Sequence, residues 1–169
     1  MRAISHPGAR LVTLEPRHAA IVPHLCEADM QEIRAATTAR PEIAVALSVA
    51  CSDPGWAVEL EGRPLCVFGA GPAGTTPEGK RVGRPWLLSV EDLKGYPVHF
   101  LRVSRDVIAE MRRRYDVLEN WVDARNLRSI KWLRWCGFEI MDAEPWGPFG
   151  AMFHRFYWEG GEQERCVLF

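Results

Sequence analysis

The 169-residue chain is 47% hydrophobic and 25% charged, with a formal net charge of −1. That balance excludes a disordered chain and leaves no global field to attract nucleic acid or a membrane surface. Five cysteines, odd in number and widely spaced with no C-x-x-C, argue against a disulfide framework or a zinc site and for a reducing compartment.

Residues 1–169 read as one domain, with no linker and no internal repeat. The N-terminus lacks the apolar core of a signal peptide. The most apolar run, Ile43 to Cys51, falls far short of the ~20 residues a membrane span needs, so no membrane span is expected. The terminal Cys166-Val167-Leu168-Phe169 formally satisfies a prenylation pattern, but its upstream residues are as acidic as basic and nothing else supports lipidation.

In chain order, Arg10 to Leu14 alternates as a first strand. Pro16 then opens a helical turn running through His18 to Leu25. Asp29 to Ala36 is a short helix. A third starts at Pro41 and is apolar almost all round until Asp53-Pro54-Gly55 breaks it. Trp56 to Leu60 and Leu65 to Ala70 form a hairpin about Glu61-Gly62-Arg63. Gly71 to Arg84, rich in Gly, Pro and Thr, reads as a long surface loop. Trp86 to Val90 is a central strand buried on both faces.

Tyr96 to Tyr115 is the strongest helix, with Val98, Leu101, Ile108, Met111 and Tyr115 on one stripe. Val117 to Val122 is the strand after it. Asn126 suits an N-cap and Gly137 the C′ position of the next helix. Glu139 to Met141 and Phe149 to Trp158 close the chain as strands. A strand, long helix, strand order requires a parallel crossover, here pairing Trp86–Val90 with Val117–Val122, whereas the hairpins require antiparallel pairing. The fold expected is α/β: a mixed sheet of six or seven strands with helices on both faces.

Several short motifs dissolve on inspection. Gly69 to Gly74 matches G-x-G-x-x-G, but Pro72 removes an amide and no helix opens after it. Gly74 to Lys80 nearly spells a phosphate-binding loop, but Arg81 replaces the Ser or Thr that would bind Mg²⁺. The five histidines are scattered, so no metal site is expected. Arg102, Arg105, Arg112, Arg113, Arg114, Arg125, Arg128, Lys131 and Arg134 crowd two helices. They read first as solvated faces and second as a weak anion or nucleic-acid contact.

Asn126, Ser129, Gly137 and Phe138 carry a resemblance to the last helix of the GNAT acyltransferase fold, whose pattern is Asn, a small residue at three, Tyr at seven and Gly-Phe at eleven and twelve. Leu133 stands at the tyrosine position. The resemblance implies acetyl-CoA lying in a splay between two parallel strands, with its pyrophosphate on amides at the start of the long helix. If acetyl-CoA binds, the matching positions are Asn126, Ser129, Lys94 and Gly95. The turn Val90 to Pro97 lacks the family's Gly-x-Gly, however, and places Glu91 and Asp92 beside the phosphates. No catalytic residue is identified: the strand Trp86 to Ser89 has no carboxylate base, and Tyr115 and Tyr157 could substitute for the missing tyrosine only by an unusual geometry.

A narrower resemblance covers Trp86 to Ile140: W-L-L-S-V-E-D, then D-V-I-A-E-M-R-R-R-Y-D-V-L, then N-W-V-D-A-R-N-L-R-S-I-K-W-L-R-W-C-G-F. It is similar to internal virion protein A of short-tailed phages. That resemblance implies a virion or assembly protein on a catalytically degenerate GNAT-like fold. Its partners would be other phage structural proteins, and it would sit in the host cytoplasm during assembly and in the virion, with no cofactor. The alternative it leaves open is an N-acyltransferase using acetyl-CoA with a divergent pyrophosphate loop.

Overall fold

The computed structural model describes residues 9–91 and 97–160. Seven strands form one mixed sheet in the order β1-β2-β3-β4-β5-β7-β6. They are β1 Ala9–Thr13, β2 Gly55–Leu60, β3 Arg63–Thr75, β4 Arg81–Ser89, β5 Val117–Asp123, β6 Glu139–Trp146 and β7 Ala151–Glu159. All neighbours are antiparallel except β4 and β5. The helices are α1 Glu27–Ala36, α2 Pro41–Cys51, α3 Pro97–Arg114 and α4 Leu127–Trp135, with a 3-10 segment, Pro16–His24, before α1. Among the described residues no helix is long and apolar enough to cross a membrane. The carboxyl-terminal Cys166 to Phe169 lies outside the described residues.

The sheet separates two apolar layers. On one face α3 and α4 bring Ile108, Met111, Ile130 and Leu133 against Phe68, Leu118, Val122 and Phe156. On the other, the 3-10 segment, α1 and α2 bring Ile21, Ile33, Val45 and Val49 against Ala57, Val67, Trp86 and Leu88. Alternation along β4 therefore sends Leu87 to the α3/α4 face and Trp86 and Leu88 to the α1/α2 face.

Three local expectations need correction. The Gly71 to Arg84 loop is a long hairpin: β3 runs to Thr75, β4 starts at Arg81, and a bulge at Pro72/Gly74 absorbs the irregular residues. Glycine and proline signalled a loop because the cross-strand partners that offset their poor strand propensity are not visible locally. The segment after Pro16 is 3-10 rather than α-helical, and Pro23 inside it cannot donate the α-type hydrogen bond. The parallel pair does form, but Val82 and Gly83 pair with Val117 and Leu118, and Trp86 to Ser89 does not pair with β5 at all.

Candidate functional site

The last rung of the parallel ladder pairs Gly83 with Leu118, and two residues on stands Pro85. Its carbonyl accepts a hydrogen bond from Asn120 Nδ2 at 2.9 Å, so its nitrogen faces β5 as well. A proline nitrogen donates nothing, so the ladder cannot continue. Beyond this point β4 and β5 diverge. At the wide end Ser89 also turns its backbone to the gap: its N–H donates to Asp29 Oδ2 at 2.8 Å and its carbonyl accepts from Cys26 N at 2.9 Å. Alternation places the amide and carbonyl of Leu87, between them, on the same edge, where no strand of the described residues lies.

The wide end is closed by side chains of α1. Asp29 and Glu32, three apart and so on one side of the helix, reach β4 and β5 respectively. Glu32 Oε2 accepts from the backbone N–H of Asp123 at 3.3 Å and from Asn126 Nδ2 at 3.0 Å. The same Asn126 amide lies 3.3 Å from Asp29 Oδ1, and Asn126 Oδ1 accepts from Ser129 N at 3.2 Å. Asn126 is therefore the N-cap expected from sequence and also the joint between α1 and α4. The far end of α4 closes as a Schellman motif, with Gly137 at φ 85° and Phe138 N donating to Leu133 O at 3.1 Å.

Three carboxylates thus crowd one spot, and they differ. Burial pushes the Glu32 carboxyl up to about 8; the Asn126 hydrogen bond works against that, and the charges of Asp29 and Asp123 add to it. Burial pushes Asp123 up too, but hydrogen bonds and charge from Arg125, with Nη2 at 2.6 Å, outweigh it and the net shift is downward. Arg128 Nη2 lies 3.9 Å from Asp29 Oδ2 and donates to Ser89 Oγ at 3.0 Å. Both hydrogen bonds to Glu32 fall on Oε2, so Oε1 accepts none among the described residues.

A cavity of about 390 Å³ occupies the splay and reaches both faces of the sheet. On the α3/α4 side it meets Val103, Ser104, Val107, Ser129 and Trp132. On the α1/α2 side it meets Glu32, Trp86, Trp121, Trp146 and Phe153. Such a volume, mostly apolar with a few convergent polar groups, is the usual form of a small-molecule site.

Of the residues singled out in the sequence, the structure brings Asn126 and Ser129 together at the splay. Lys94 and Gly95 lie outside the described residues. Leu133 is a buried core residue at 4% exposure, with no group to donate a proton. Tyr115 gives its hydroxyl to Asp53 O at 2.7 Å and Tyr157 to Glu139 Oε2 at 2.7 Å, so both serve the scaffold. The basic residues of the two helices are largely engaged. Arg113 pairs with Glu110, Arg114 with Asp53 and Arg125 with Asp123, while Arg105 lies over the Trp135 ring at 4.9 Å and Arg112 over Trp158 at 4.6 Å. Among the described residues no group of His, Cys, Asp and Glu could hold a metal. Sequence reading missed Glu32 and Asp29: they sit on a short helix of ordinary composition, far in sequence from β4 and β5.

No family model and no curated protein matches the sequence. Solved structures do. The chain is similar to yncA of Salmonella typhimurium, solved with its cofactor acetyl-CoA, at TM-score 0.65 and 14% identity over 92% of this chain and 95% of that one. It is similar to a GNAT-family acetyltransferase of Streptococcus pneumoniae at TM-score 0.61 and 11% identity, covering 90% and 99%. It is similar to the ribosomal-protein-alanine N-acetyltransferase of Brucella melitensis at TM-score 0.65 and 18% identity, covering 89% and 99%. At these identities the likeness is one of architecture, and on that ground the chain has the fold of the GNAT acetyltransferases.

Proposed function

We propose that the chain is an acyl-CoA-dependent N-acyltransferase in which Glu32 is the general base. The observation that carries this reading is the cavity through the splayed strands with Glu32 on its wall, both of its hydrogen bonds among the described residues falling on Oε2. The residues present fit acetyl-CoA in part. The Leu87 edge of β4 offers one N–H and one C=O to an amide-containing arm, and Val103 and Val107 line that half apolarly beside the hydroxyl-bearing Ser129. The cofactor supplies the acyl group as an activated thioester.

An amine acceptor arrives protonated and must lose a proton to become nucleophilic. A carboxylate with an ordinary pKa is a poor base for an ammonium, whereas one near 8 is much better matched. Asn126 and the Asp123 amide hold Glu32 in place by its other oxygen. Leu133 offers no proton to the departing thiolate. Alkyl thiols have pKa ~8.5, so a thiolate leaves unaided, but losing a general acid typically costs ~10²–10⁴-fold in rate. The reading is therefore of a slow transferase.

The virion-protein reading, with other phage structural proteins as partners, rests on the sequence resemblance of Trp86 to Ile140, and the loss of the tyrosine at Leu133 favours it. Thermal shift and calorimetry with acetyl-CoA, followed by thiol release over a panel of amines, separate the two. Saturable binding with turnover that Glu32→Gln abolishes supports the transferase. Absence of both binding and turnover removes it and leaves the assembly role.

A further inference from the structure

The two halves of the cavity differ in chemistry, and the α1/α2 half is walled by aromatic rings. Trp121 and Trp146 stack with centroids 5.2 Å apart and planes at 19°, and Trp146 meets Phe153 at 5.1 Å and 58°. Trp86 stands on β4 with its indole N–H held by Ser52 Oγ at 2.8 Å, which fixes the orientation of its ring. Each ring comes from a different strand: β4, β5, β6 and β7. They converge because all four side chains fall on the same face of the sheet. Among the described residues Glu32 is the one carboxylate on the cavity wall.

We propose that this chamber is the acceptor subsite and that it takes an arylalkylamine, a single primary amine on a short arm from a flat aromatic ring. The inference rests on the acyltransferase reading and specifies its acceptor. A flat ring finds stacking and edge contacts on the tryptophans, and its ammonium finds Glu32 Oε1. A polyamine or an aminosugar would bring several cations or hydroxyls into a chamber whose described lining holds one carboxylate. The remaining polar groups would lose water without gaining partners. Arg84 also lines the cavity, and it precedes Trp86 by two residues on the same face of β4, so a second ammonium there would meet a like charge.

The test is calorimetric titration of the full chain with 2-phenylethylamine and with spermidine, without and with acetyl-CoA, beside thiol-release kinetics on both amines. We expect saturable binding of 2-phenylethylamine and spermidine weaker by about tenfold or more. Trp121→Ala should raise KM for 2-phenylethylamine about tenfold. Because that variant removes a large ring, Ala44→Phe provides an independent check. It fills the chamber from α2 and should block the amine while leaving acetyl-CoA affinity unchanged. Equal or tighter binding and turnover of spermidine would overturn the arylalkylamine assignment and leave the transferase standing. Acetyl-CoA neither bound nor used, with 2-phenylethylamine still bound, would overturn the transferase and the acceptor role together.

Discussion

Asn120 bridges the splay at its narrow end by donating from Nδ2 to the carbonyl of Pro85 at 2.9 Å. A side chain here replaces the backbone amide that a continued parallel ladder would have supplied. Asn120→Ala leaves that carbonyl without its donor and should lower stability by about 1 kcal/mol, the usual net worth of one hydrogen bond. Urea denaturation measures it, and an unchanged midpoint would show that the bridge contributes nothing to closing the gap.

Glu32 sets a second expectation, for pH. Its carboxyl titrates near 8 in the folded chain and near ~4.3 unfolded. Between those values the folded state holds a proton that the unfolded state has released, so stability falls as pH rises and levels off above about 8. The groups facing it are Asp29 on its own helix, Asp123 on β5 and Asn126 before α4, with Arg125 and Arg128 pairing the two aspartates. Glu32→Gln should flatten that slope, gaining relative to wild type toward pH 8 and matching it near pH 4. Denaturant midpoints across this range decide the matter; parallel profiles for the two proteins would refute the raised pKa.

The same residue predicts a rate profile. If Glu32 is the base, kcat/KM for an amine acceptor rises with pH and levels off above about 8. Glu32→Gln should lose ~10²–10⁴-fold in kcat with acetyl-CoA affinity preserved. A variant with wild-type turnover would move the base elsewhere.

Asn126→Ala removes more than an N-cap. The lost cap alone is worth about 1 kcal/mol, and the same change strips a donor from Glu32 and Asp29. We expect a loss of about 2–3 kcal/mol, since a buried acceptor left without its partner adds its own cost. The Glu32 carboxyl should titrate higher still, because the Asn126 bond is the larger of the two, with that from the Asp123 amide, that hold it down. Carbon-13 titration of the glutamates reads this directly, and a downward shift would contradict the assignment.

Gly83 gives a steric prediction. It sits at the last rung of the parallel ladder, opposite Leu118, and a Cβ added there would lie 2.5 Å from the Tyr115 ring. Tyr115 is held by its hydroxyl on Asp53 O, so the ring cannot swing away freely. Gly83→Ala should cost about 1–3 kcal/mol by overpacking, read as a lowered melting temperature.

Much of the fold was legible because it is written in periodicity and punctuation. The long helix, the β5 strand, the Asn126 cap and the Gly137 stop each depend on residues close in sequence. So does the hairpin at Glu61-Gly62, where both residues adopt positive φ, at 51° and 77°. The splay was expected only through family resemblance. Its physical cause, Pro85 opposite Asn120, needs the strand register before it can be seen. Glu32 was invisible for a related reason: its pKa depends on Asp29, Asp123 and Asn126, which only the folded chain gathers. The aromatic chamber is likewise spread over β4, β5, β6 and β7, with no local motif to announce it.

The outward turn of Leu87's amide and carbonyl has one more consequence. Most sheets keep their unpaired edges on the perimeter, where a foreign strand can add to them. This sheet has an additional edge in its middle, flanked by α1 and α2 on one face and α3 and α4 on the other. A polypeptide partner would have to thread between those layers to reach it, whereas a slender chain carrying an amide can slide in. The fold thus places an unpaired backbone edge in the sheet's interior, where the two helical layers shield it from strand addition.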